Sequence, residues 1–148
     1  MSFHEKSIWA MLAANVLVYG WYFKVMVNIA MSFPIGEQPI PVSEFAPYLV
    51  ATVVALIIVA IVSHIAIALH SIQSEGDIDD TEDERDTMIK LRGENKSGAI
   101  LGLGVVITIG MILMGNGPFL TANALLAALV LSETVAGVFK IRDYRRSF

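Results

Sequence analysis

The chain has 148 residues, of which 55% are of hydrophobic type and 16% charged, with no cysteine and a net charge of −4. That length suits one structural unit, and the charge falls well below the roughly 25% of an ordinary soluble domain. Hydrophobicity excludes a disordered tail, the lack of thiols excludes a disulfide-framed module, and the acidic balance weighs against a nucleic-acid binder. An integral membrane protein remains.

A bilayer core about 30 Å thick needs roughly 20 mostly apolar residues per spanning helix. Four stretches meet or approach this: Ser7 to Ala30, Ala46 to His70, Ser97 to Gly115 and Pro118 to Lys140. They lack strand alternation and are too long for barrel strands, so the expected fold class is an all-α membrane protein, a single four-helix transmembrane domain. The first stretch is longer than an export-signal core, and Ile29-Ala30-Met31-Ser32 is a poor cleavage site, so it reads as a retained span. Trp21, Tyr22 and Phe23 near its outer end suit the headgroup level, as does Tyr48 at the start of span two. The loop from Met31 to Phe45 holds Pro34, Pro39 and Pro41 and reads as a stiff external connection.

The loop from Ser71 to Lys96 is the only sizeable polar piece, with eight acidic residues between Glu75 and Asp86. Thr81-Glu82-Asp83-Glu84 fits a capping box. Met88, Ile89 and Leu91 follow at helical spacing, and Asp86 stands four residues before Lys90. This predicts a short amphipathic helix from about Glu82 towards span three, loosening at Gly93. Asp77, Asp79 and Glu82 lack the glycine and terminal glutamate of a calcium loop, so a solvated segment is the simpler reading and no metal is expected. A docking strip for a basic partner fits the same residues.

Gly115-Asn116-Gly117-Pro118 is a turn signal that makes spans three and four a tight hairpin. Small residues recur at four-residue spacing: Ala124, Ala128, Ser132 and Ala136 on span four, Gly98 and Gly102 on span three, then Gly104 and Thr108. Such a packing stripe lets helices approach closely, either inside the chain or in a homo-oligomer.

Orientation follows from the basic residues. Lys6, then Arg85, Lys90, Arg92 and Lys96, then Lys140, Arg142, Arg145 and Arg146 flank one side of the spans. The external connections carry no lysine or arginine, so both termini and the middle loop are expected in the cytoplasm. Lys24 departs from this pattern and reads as a side chain snorkelling outward.

Ionisable groups inside a span are costly and therefore point to function or to a paired structural site. Glu133 lies seven residues before Lys140 and His64 six before His70, roughly 10 Å inside the same end by helical rise. Asn15, eight residues into span one, is at similar depth. Asn15, His64 and Glu133 are thus expected to form an intramembrane polar layer. In one reading they satisfy one another and fix helix register. In the other, the carboxyl and imidazole exchange protons or bind an ion. Haem ligation by His64 would need a second subunit, because His64 and His70 point different ways, and no cofactor is expected. No Ser–His–Asp set or phosphate loop supports catalysis, and no catalytic residue is assigned.

Glu5-Lys6, Tyr19-Gly20-Trp21-Tyr22-Phe23, Asp83-Glu84-Arg85-Asp86 and Tyr144-Arg145-Arg146 together give a chain that resembles a group of small, uncharacterised bacterial four-span membrane proteins. The resemblance implies a bacterial inner-membrane location and an auxiliary or regulatory role, with no activity to transfer onto particular residues. The expectation from sequence is a non-enzymatic accessory or scaffold subunit associating with itself or a larger membrane complex. Its rivals are a small ion- or proton-coupled transporter using Glu133 and His64, and a haem-binding protein.

Overall fold

The computed structural model describes residues 3–33, 39–75 and 84–145. They form four helices: α1 (Phe3–Ser32), α2 (Val42–Glu75), α3 (Glu84–Leu113) and α4 (Pro118–Arg145). Each is long and apolar enough to cross a membrane, as expected of a multi-pass membrane protein. All four are longer than the apolar stretches that mark them in the sequence, because hydropathy locates only the lipid-facing part, although at the α3–α4 turn α3 stops at Leu113, before the expected Gly115. The α2 helix takes in Val42 to Phe45, expected in the first connection, and continues to Glu75, with Pro47 held near its start. The α3 helix passes through Gly93 without a break, so Met88 and Ile89 belong to the same rod as the third span. The acidic positions Asp77, Asp79, Asp80, Glu82 and Asp83 and the capping threonine Thr81 lie outside the described residues.

The α3–α4 turn is closed by its chemistry. Gly115 adopts φ +81°, where a side chain would be strained. Its N–H donates to Ile112 O at 3.0 Å, and the Asn116 N–H donates to Met111 O at 3.0 Å. This is a Schellman cap, satisfying carbonyls that would otherwise be left open. The Asn116 side-chain amide also donates to Met111 O. Pro118 then starts α4 without an amide to waste.

The α1 helix packs on α2 and α4, α2 also touches α4, and α3 packs on α4, so the helices make a row α2, α1, α4, α3 folded over at its α2 end. Among the described residues, no Cα of α3 comes within 8 Å of α1 or α2. The row therefore does not close into a ring. The α3 helix packs on α4 alone along most of its length, with Ile89, Gly93 and Thr108 buried on one face. Gly93 faces the Lys140 stem and Gly104 faces Ala128, so the antiparallel register holds from end to end.

At the hairpin end, α1, α2 and α4 share a core of Tyr19, Tyr22, Met26, Phe45 and Leu126. Phe45 meets Phe119 edge-on at 5.4 Å. Tyr22 is fully buried there, which corrects its reading as a headgroup anchor. Its neighbour Trp21 is half-exposed and tilts against Tyr48 at 6.3 Å. A helix turns 100° per residue, so Trp21 and Tyr22 face different surroundings. The buried threonine hydroxyls are handled inside their own helices. Thr52 donates to Tyr48 O and Thr108 to Gly104 O, both at 2.8 Å, as an apolar medium requires.

Candidate functional site: a cleft at the basic end

Three helices present unlike chemistry to one space near the end that bears Phe3 and Arg145. From α1 come the apolar Ile8, Met11 and Leu12, followed by Asn15; from α3 come Glu94 and Ser97; from α4 come Glu133, Ala136, Gly137 and Lys140. They enclose a cleft of about 260 Å³. Gly137 lets α1 come close, since Leu12 Cδ2 lies 2.8 Å from where a β-carbon would stand.

The cleft is polar at two levels. At its mouth, Lys140 Nζ stands 3.9 Å from Glu94 Oε1. Deeper, Asn15 Nδ2 donates to Glu133 Oε2 at 3.1 Å. The separation along α4 is seven residues, roughly 10 Å of helix. The structure thus joins Asn15 and Glu133 directly. His64 belongs to α2, and its side chain lies outside the described ones.

Aromatic rings take up the surrounding cations. Lys96 Nζ sits 3.5 Å from the Phe139 ring centre and the Arg142 guanidinium 4.4 Å from it. Arg145 lies 5.6 Å from the Trp9 ring. These contacts tie α3 and α1 to α4 outside the apolar layer. Lys24 is exposed near the other end.

The packing stripe divides. Ala124, Ala128 and Ala136 are half-buried and Ser132 is buried. On α3 the close approach belongs to Gly104, against Ala128, while Gly98 and Gly102 have nothing within 4 Å of their β-positions. Those two glycines point away from α4. Four-residue spacing identifies a face but not which of two glycine faces meets the neighbour.

Glu94, Ser97 and Lys140 were not expected at this site, because reading span three from Ser97 leaves Glu94 in a loop. Continuing the helical wheel back through Gly93 would have placed Glu94 beside the cleft. A methyl group at Gly93 would press on the Lys140 stem, whose Cε and Cγ lie 2.8 and 2.9 Å away. That stem can swing, and alanine's better helix propensity contributes about 0.5–1 kcal/mol. Gly93→Ala is therefore expected to leave stability within about 1 kcal/mol of the parent, checked by denaturation in mixed micelles; a larger loss would show that Lys140 is locked in place.

Comparison with known families, with curated proteins and with solved structures finds no match for this chain.

Proposed function

We propose that this protein is a non-enzymatic accessory or scaffold subunit, which associates in the membrane with a second copy of itself or with a larger complex. The observation that carries this reading is the open row of helices. Between α2 and α3 lies a groove of about 430 Å³ lined by Leu49, Leu101, Ala122, Leu125, Leu126 and Leu129. Gly98 and Gly102 add a smooth strip on the outer surface of α3. In lipid, close backbone approach and van der Waals contact drive helix association, so an unfilled groove with a small-residue strip beside it favours another helix. A bacterial inner-membrane location with both termini in the cytoplasm goes with this proposal, on the resemblance and on the placement of lysine and arginine.

The test is extraction in mild detergent followed by light-scattering mass measurement. The expected protein mass exceeds the 16.1 kDa of one chain. Gly102→Ile should shift it downward without unfolding the protein, since the β-position is open. A strictly monomeric parent with no co-purifying chain would overturn the proposal.

The second reading is a small cation-coupled transporter working through Glu133, and the Asn15–Glu133 bond inside a cleft favours it. Glu133→Gln should then abolish flux into liposomes carrying the purified protein. An inactive parent, or flux unaffected by the substitution, removes this reading.

A further inference from the structure

The cleft at the basic end has a charge balance that selects its occupant. At the mouth Lys140 and Glu94 offset each other across 3.9 Å. Below them the Glu133 carboxyl has, among the described residues, one hydrogen bond, from a neutral amide. Glu133 is exposed to the open cleft, and a carboxylate placed within a membrane span is costly enough that a positive partner has much to offer. The Asn15 contact uses one carboxylate oxygen and the amide nitrogen. It leaves Glu133 Oε1 and Asn15 Oδ1 as acceptors without a partner among the described residues, and the Ser97 hydroxyl lines the same space. Three acceptors match the three N–H donors of an ammonium group.

Other occupants fit less well. A divalent metal ion seeks six or more oxygen ligands or a set of nitrogen and sulfur donors, and the described residues contain no cluster of three such side chains. An anion would meet Glu133. The remaining walls are Ile8, Met11, Leu12 and Ala136, which suit a short hydrocarbon chain. The volume of about 260 Å³ falls just under the range of drug-sized pockets, so the occupant is small.

We propose that this cleft binds a small organic ammonium ion, with its charged nitrogen at Glu133 and Asn15 and its apolar part against α1. The inference does not rest on self-association, whose groove at Leu49, Leu101 and Leu129 lies further along the same α3–α4 face, towards the hairpin.

The test uses the full chain in phosphatidylcholine nanodiscs, titrated calorimetrically with n-hexylammonium, with n-hexanol and n-hexanoate as the neutral and anionic counterparts. The expected result is saturable binding of hexylammonium to the parent at one site per chain, with neither counterpart competing. Glu133→Gln should weaken it at least tenfold. Ala136→Leu, which keeps the carboxylate and fills the cleft, should weaken it equally and serves if the first variant fails to insert. Binding equal in parent and variants, competition by hexanol, or no saturable binding to the parent overturns the proposal. An unchanged particle mass in the same samples keeps this result separate from the association test.

Discussion

Replacing Gly104 by Ala is expected to destabilise the α3–α4 pair by about 1–3 kcal/mol, the usual range for overpacking a close contact. The added carbon would fall inside the contact radius of the Ala128 β-carbon, with the Ala128 Cα only 3.4 Å away. Neither atom can rotate aside, because both are fixed to the backbone of α4. The helices must separate, and α3 has no other neighbour to pack on. Three comparisons make the expectation specific. Gly98→Ala and Gly102→Ala meet nothing within 4 Å and should be neutral or slightly stabilising. Combining Gly104→Ala with Ala128→Gly moves the methyl group to the other helix and should recover most of the loss. Denaturant titration of the purified variants checks the series, and equal behaviour of Gly102→Ala and Gly104→Ala would show that the register of the pair is misassigned.

Tyr22→Ala should be the most damaging single change in the shared core, costing on the order of 3 kcal/mol through the cavity it leaves. Tyr22 is fully buried among Tyr19, Met26, Phe45 and Leu126. Three helices meet around it, so the lost contacts weaken two interfaces at once. Its hydroxyl is buried with no hydrogen-bond partner among the described residues. Tyr22→Phe should therefore be neutral or modestly stabilising, since it removes an unsatisfied polar group and keeps the ring. A large loss for the phenylalanine variant would reveal a partner for that hydroxyl, with the Asn123 Oδ1, likewise buried and unpartnered, as the first place to look. Denaturation of the two variants side by side separates ring packing from hydroxyl bonding.

Apolar length alone made the four helices legible in the sequence, because lipid leaves a chain few other ways to pair its backbone. Glycine, asparagine and proline marked the hairpin, and the Schellman bonds at Gly115 and Asn116 give that turn its physical content. Depth along each helix brought Asn15 to the level of Glu133, since 1.5 Å per residue is a dependable ruler. Rotation about each helix axis was not legible. It decides that Tyr22 faces the core while Trp21 does not, and that Gly104 meets α4 while Gly98 and Gly102 do not. Every face of a membrane helix is apolar, so composition carries little angular signal here, and only contact with neighbours resolves it. Glu94 was missed for a related reason: a helix was expected to loosen at a glycine that instead admits the stem of Lys140.

The α3 helix has 30 residues without an internal break, roughly 45 Å at the usual rise. A bilayer core accounts for about 30 Å of that, so the first turns, carrying Lys90 and Arg92, would stand clear of it. A rod of this kind acts as a lever. Tilting it about the tight turn at Gly115 would move the contact of Gly93 with the Lys140 stem further than that of Gly104 with Ala128, so the far end of the pair is where a change of angle would show first.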